Sequence, residues 1–277
     1  MGATYHATAI ILRREPWRDS ARLYTLYTRE WGKLLAVGRG TSKSTSKLGA
    51  HLEPFTLSEV HLAKGRRLET LCGAILIRAS EALVENPERH AAVSLFAEAV
   101  DHLVKWNERD ERLWSLFDGF LAELAESDDS ESVLARFVWR FMDRLGYRPA
   151  FEHCASCRTD VIFGGGLFLP TKGVVLCASC RPHESDLFGA LPLRSEDLQT
   201  LNRGLSLWGH TSAEFKAESD SLDGFSSEGL SLWGQSPALL EAGLAFLEAH
   251  LDRPLNSLPI VRATLKLNPE RLKVTML

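Results

Sequence analysis

The chain has 277 residues, of which 45% are hydrophobic and 25% charged, a composition that excludes a disordered or fibrous protein and leaves room for about two domains. No run approaches the roughly 18 apolar residues of a spanning helix, and the start of the chain has no basic segment followed by an apolar one, so neither a membrane span nor a signal peptide is expected and the expected compartment is the cytoplasm. The net charge of −4 conceals a division, because residues 1–80 hold 13 Lys/Arg against 6 Asp/Glu while the rest of the chain holds 19 against 30.

Alternating apolar and polar residues predict five short strands in the basic part: residues 5–14, Arg22–Thr28, Lys33–Val37 after a turn at Gly32, Phe55–Leu62, and Leu68–Ile77 after a turn at Gly65. Short strands broken by glycine turns predict a small β-barrel, although an Src-homology-like barrel would read almost the same. Cys72, set among Leu71, Ala74 and Ile75, is expected to be a buried apolar side chain.

The period changes near residue 86. Asn86 can cap a helix and Pro87 suits its first position, with Ala91, Leu95, Ala99, His102 and Leu103 at helical spacing. A second helix is predicted from Glu111 to Glu126, and a third follows a cap at Ser130 until Gly146 and Pro149 stop it. These three amphipathic helices are expected to pack on one another. Helical spacing returns from Ser195 to Leu207 and from Ser236-Pro237 to Leu251. Between them Gly204-Leu-Ser-Leu-Trp-Gly209 recurs as Gly229-Leu-Ser-Leu-Trp-Gly234, which reads as a local duplication that lengthened a surface loop, over residues 209–235. A paired tryptophan contact for a partner is the alternative.

Cys154-Ala-Ser-Cys157 and Cys177-Ala-Ser-Cys180 carry the strongest chemical signal. Each Cys-x-x-Cys turn brings two sulfurs to one side, so two turns complete a tetrahedron of thiolates around one Zn²⁺. Four protein ligands leave no position for water or substrate, which makes the metal structural. An iron–sulfur cluster and a redox dithiol are the alternatives. Gly164-Gly-Gly166 is expected to turn a hairpin between the pairs, covered by Phe163, Leu167, Phe168 and Leu169. His153 and His183 flank the pairs and are candidates for supporting the ligands from outside, with simple exposure the more ordinary role.

The second signal is a set of cations, Lys33, Arg39, Lys43, Lys47, Lys64, Arg66 and Arg67, interrupted only by Glu53 and Glu59. A basic module joined to an acidic one suits a polyanion, and a flexible basic loop such as Thr41–Leu48 suits phosphate, since counterion release needs charge more than fixed geometry. Nearby Trp17, Tyr24, Tyr27 and Trp31 are candidates for stacking on bases, with core packing the more ordinary role. Gly38-Arg-Gly-Thr-Ser-Lys43 fails the spacing of a phosphate loop, and no catalytic constellation is present, so the chain is not expected to be an enzyme.

The order Ala7–Arg14, Asp19–Leu26, Gly32–Gly40, Leu52–Leu57 and Gly65–Leu71, then Arg144-Leu-Gly-Tyr-Arg-Pro149 before Cys154 and Phe168-Leu-Pro170 before Cys177, resembles the bacterial DNA repair and recombination mediator family RecO. Residues 209–235 depart from it. The resemblance implies an α+β chain: an oligonucleotide-binding (OB-fold) barrel, residues 1–80, then a helical domain, residues 81–277, containing the zinc segment 151–183. It implies binding of single- and double-stranded DNA, annealing of complementary strands, partnership with RecR and with single-stranded DNA-binding protein, and indirect delivery of RecA, in association with the nucleoid. Arg39 and Lys43 match the basic segment this family uses for DNA. A non-catalytic adaptor for an acidic protein tail and an RNA-binding zinc protein remain the other readings.

Overall fold

The structure, a computed structural model, describes residues 3–43, 45–184, 187–206, 233 and 236–267. The chain forms two compact units, residues 1–126 and 127–277.

The first unit opens with β1 (Thr4–Pro16), β2 (Arg22–Thr28), β3 (Gly32–Gly38), a one-turn helix α1 (Lys47–Ala50), β4 (Leu57–Ala63) and β5 (Glu69–Arg78). The strands close into a barrel in the order β1-β2-β3-β5-β4, with β3 and β5 parallel and the other pairs antiparallel. That is the arrangement of an oligonucleotide-binding barrel. β1 can serve two neighbours because it is long and bent. Its first half pairs with β4, its second half with β2, and the register shifts between Ile11 and Arg13. Period-two alternation then points Ala7, Ala9, Ile11, Leu26, Leu34, Ala36, Val60, Leu62 and Leu71 inward. Gly32 holds φ at +68°, and a Cβ there would run into the carbonyl of Glu108, so both the turn and the close approach require glycine.

Three helices complete this unit: α2 (Glu81–Val84), α3 (Pro87–Leu103) and α4 (Glu111–Glu126). Asn86 caps α3, its Oδ1 accepting from the backbone N–H groups of Glu88 at 2.9 Å and Arg89 at 3.2 Å. Phe96 of α3 meets Phe117 and Phe120 of α4 at ring distances of 5.5 and 4.3 Å, and Phe117 reaches Tyr27 of β2 at 6.4 Å. Ion pairs Arg29–Glu111 (2.7 Å) and Arg78–Asp118 (2.5 Å) add to the attachment. Residue 80, the expected end of the barrel domain, therefore falls inside the first compact unit, whose helices are held by these contacts.

The second unit holds α5 (Ser130–Arg144), a sheet of β6 (Ala150–Cys154), β7 (Gly166–Leu169), β8 (Val174–Leu176) and β9 (Leu191–Leu193) in the order β6-β8-β7-β9, then α6 (Ser195–Ser206), α7 (Pro237–Ala249) and α8 (Leu258–Thr264). The cap of α5 is Asp129, whose Oδ1 accepts from Ser132 N–H at 2.9 Å, and Ser130 is the buried first residue of the helix. A carboxylate at that place also meets the positive end of the helix dipole. Trp139 of α5 is fully buried, stacks on Phe246 of α7 at 5.7 Å, meets Phe168 of β7 edge-on at 5.8 Å, and donates Nε1–H to Leu239 O at 3.0 Å. The expected association of three consecutive helices is thus divided: α3 and α4 pack together in the first unit, and α5 packs on α7 in the second. The stretch 209–235 lies outside the described residues except for Trp233, which is buried against Gly204. Among the described residues no helix is long and apolar enough to cross a membrane.

Candidate metal centre and nucleic-acid interface

Strands β6 and β8 run parallel, with Cys154 opposite Val175, so the two Cys-x-x-Cys turns that follow them emerge at the same end of the sheet. The first turn closes through Arg158 N–H to Cys154 O at 3.0 Å and Cys154 N–H to Thr159 O at 2.8 Å; the second closes through Cys180 N–H and Arg181 N–H to Cys177 O at 3.2 and 3.1 Å. The sulfurs of Cys154, Cys157, Cys177 and Cys180 all lie within 4.8 Å of one another, with Cys157 and Cys177 3.6 Å apart. A tetrahedron with metal–sulfur bonds of 2.3 Å has edges of about 3.8 Å, so the four thiols could hold one metal ion.

The electrostatics agree with that donor set. At Cys154 burial raises the pKa, but backbone N–H groups of Cys177, Cys157 and Ser156 outweigh it and lower it. The Thr159 hydroxyl and backbone bring Cys157 down to about 6. At Cys180 the Ser156 hydroxyl pulls down, yet Cys157, burial, Cys177 and Cys154 together push it up to about 12. Oriented N–H dipoles favour the first thiolates, and the charge they create suppresses the last one. A bound dication removes that conflict.

Some surroundings differ from expectation. The β7–β8 hairpin turns at Pro170–Gly173, where Gly173 has φ +62° and its N–H reaches Leu169 O at 2.9 Å; Gly164–Gly166 instead form the turn that leads into β7. Leu167, Phe168 and Leu169 are buried as expected, but Phe163 is exposed, as are His153 and His183.

Of the seven predicted phosphate-binding cations, Arg39, Lys43, Lys47, Lys64, Arg66 and Arg67 are exposed. Among the described residues none of these six has a carboxylate partner within 4.0 Å. Arg39 follows β3, Lys43 lies in the next loop and Lys47 opens α1, whose N-cap Ser46 accepts from Gly49 N–H at 3.1 Å. The β4–β5 loop carries Lys64, Arg66 and Arg67. The ladder Ala36↔Glu69 is parallel, so this loop, which precedes Glu69, runs back beside the earlier part of β3 around Leu34 and Leu35, whereas Arg39 lies three residues beyond Ala36 in the other direction, about 10 Å along an extended strand. Ser42 N–H donates to Ser20 O at 3.2 Å, which joins the β3–α1 loop to the β1–β2 loop and brings the exposed Arg18 and Trp17 to the same edge. Arg18 was not singled out in the sequence because only pairing of the two loops reveals its neighbours.

Lys33 departs from this set. Its side chain is 2% exposed; Nζ donates to Asp101 O, lies 3.6 Å from Asp101 Oδ1 and sits 4.3 Å from the centroid of the Trp106 ring. Asp101 is also paired with Arg13 Nε at 3.3 Å. The 104–110 connection lies along β3, with Asn107 N–H bonded to Lys33 O at 3.0 Å, and this covers the lysine. Lys33 is a structural cation, not a phosphate contact. Tyr24 and Tyr27 are core residues, and burial followed by the charge of Asp110 raises the Tyr27 pKa. Trp17 and Trp31 are exposed. Cys72 is exposed, not buried, because its neighbour Leu71 faces the core and successive strand residues face opposite ways.

The profile described as Recombination protein O N terminal matches residues 1–79, and that described as Recombination protein O C terminal matches residues 84–214. The chain is 35% identical over 200 residues to the DNA repair protein RecO of a Nocardioides species, covering 68% of this chain and 82% of that one. It is 29% identical to that of Cutibacterium acnes over 93% and 98% of the two chains, and 28% identical to that of Geobacter metallireducens over 92% and 95%.

Proposed function

Because the chain belongs to the RecO family of DNA repair proteins, we propose that it binds single- and double-stranded DNA through Arg39, Lys43, Lys47, Lys64, Arg66 and Arg67 and anneals complementary strands. The observation that carries this reading is the six exposed cations on two segments of the barrel, the stretch after β3 and the β4–β5 loop, none with a carboxylate within 4.0 Å among the described residues. Unpaired surface cations release counterions from a phosphate backbone, and a surface that screens two polyanions keeps them close long enough for bases to pair.

In this reading the barrel, residues 1–80, is the DNA-binding domain and residues 81–277 form the helical domain that bears the metal segment. Cys154, Cys157, Cys177 and Cys180 hold one Zn²⁺, which cross-links two turns and takes no part in turnover. The chain acts without catalysis, together with RecR and single-stranded DNA-binding protein, to help load RecA, in association with the nucleoid.

Titration of the chain with a labelled single strand, a duplex and an RNA of the same sequence, followed by mixing complementary strands, tests the proposal. Both DNA forms are expected to bind, and annealing is expected to accelerate by about tenfold or more, the lower end of electrostatic steering. Absence of binding to DNA, or binding with no acceleration, would remove this reading.

A further inference from the structure

A cavity of about 290 Å³ in the first unit is lined by Leu34, Leu35, Arg67, Glu69, Trp106 and Asn107. It lies at the edge of β3, between the point where β5 begins to pair, Ala36↔Glu69, and the point where Asn107 N–H bonds Lys33 O. Its size is at the lower end of ligand pockets, which suits one planar group rather than several. Its lining combines three chemistries. The Trp106 indole is 44% exposed, an uncommon state for so large an apolar ring. Arg67 is one of the unpaired loop cations. Glu69 and Asn107 offer acceptors and an amide that can both donate and accept.

We infer that this cavity receives one unstacked base of a single DNA strand, with the base on the Trp106 ring, its polar edge toward Glu69 and Asn107, and the adjoining phosphate on Arg67. The inference rests on the proposal that the barrel binds single strands, and it adds the subsite where a base is held.

The buried cation beneath the indole has a part in this. Lys33 Nζ, 4.3 Å from the ring centroid, draws on the π-cloud and fixes the ring's position, since the ammonium is itself anchored on Asp101. Lys33 is thus a positioning residue for the platform. Asn107, which lines the cavity, has φ +58°, and Glu69 already accepts from Gly65 N–H at 3.3 Å and from the Tyr5 hydroxyl while retaining further lone pairs. A carboxylate acceptor at the base edge favours bases with an exocyclic amino group, so adenine, cytosine and guanine are preferred over thymine. In a paired duplex that edge is already occupied, so duplex binding makes no use of the site.

The test uses the full chain with Trp106→Ala, Trp106→Phe and Asn107→Gly, the last removing the amide while tolerating the positive φ. The probes are an oligonucleotide, its duplex and an abasic strand of equal length. Trp106→Ala is expected to weaken single-strand binding by about 5- to 150-fold, the range for one stacked base, with duplex binding and the salt dependence unchanged. Trp106→Phe should retain most of the affinity, which separates loss of the platform from loss of fold. The native chain should bind the abasic strand no better than Trp106→Ala does. Native single-strand affinity in Trp106→Ala, or equal weakening toward single strand and duplex, overturns the inference. A chain with Arg39, Lys43 and Lys47 changed to Glu distinguishes the two levels: if it loses DNA binding while Trp106→Ala does not, only the base site fails. Should it bind as the native chain does, the underlying reading fails and the base site with it.

Discussion

Cys154→Ser is expected to release the metal and to destabilise the second unit by about 4–5 kcal/mol or more, the scale reached when a structural metal is lost. Cys154 is the buried member of the cluster, and its sulfur accepts from Cys177 N–H at 3.4 Å, so it is the ligand that ties one turn to the other. Without a dication three remaining sulfurs crowd together with nothing to offset their charge. The sheet order β6-β8-β7-β9 joins β6 to the rest only through its short pairing with β8, beside the cluster, which makes β6 the first strand to detach. Metal analysis and thermal unfolding check the expectation: about one zinc per chain in the native protein, less in the variant, and a lowered transition for the second unit. The barrel should keep its own transition. Retention of zinc with an unchanged midpoint would falsify the assignment of Cys154 as a ligand.

Asp101→Ala is expected to cost about 3–5 kcal/mol, since it strands the ammonium of Lys33 in a buried site. Lys33→Met should cost less. That change removes the buried cation, leaves Asp101 paired with Arg13 at 3.3 Å, and keeps an unbranched apolar chain under Trp106. Combining the two substitutions should cost less than their sum, because the double variant has no unpaired lysine charge. Denaturant unfolding of the four chains measures this. Strict additivity would show that Lys33 and Asp101 do not act as a pair.

What the sequence made legible was local. The Cys-x-x-Cys turns are set by two intervening residues, and the α3 boundary by Asn86 beside Pro87, so both are where their spacing predicts. Lys33 shows where such reading stops. Its surroundings are fixed by Asp101, 68 residues away in sequence, and nothing between Gly32 and Leu34 says that another segment will cover it. The cavity at Trp106 is equally hidden, because its lining comes from β3, the β4–β5 loop, the start of β5 and the α3–α4 connection. The one signal available was a tryptophan within the polar run Lys105-Trp-Asn-Glu-Arg-Asp110. Cys72 was misplaced for a different reason. Its neighbours Leu71 and Ile75 are both apolar, yet Leu71 is 4% exposed and Ile75 66%, and composition around a strand residue does not reveal which face is the core.

The central claim is electrostatic: exposed cations on the barrel loops neutralise DNA phosphates. It is tested most directly by the slope of log affinity against log salt concentration for a single strand, measured for the native chain and for the variant with Arg39, Lys43 and Lys47 changed to Glu. Three lost phosphate contacts should flatten the slope by about 2. Parallel lines for the two chains, with both folded, would contradict the account.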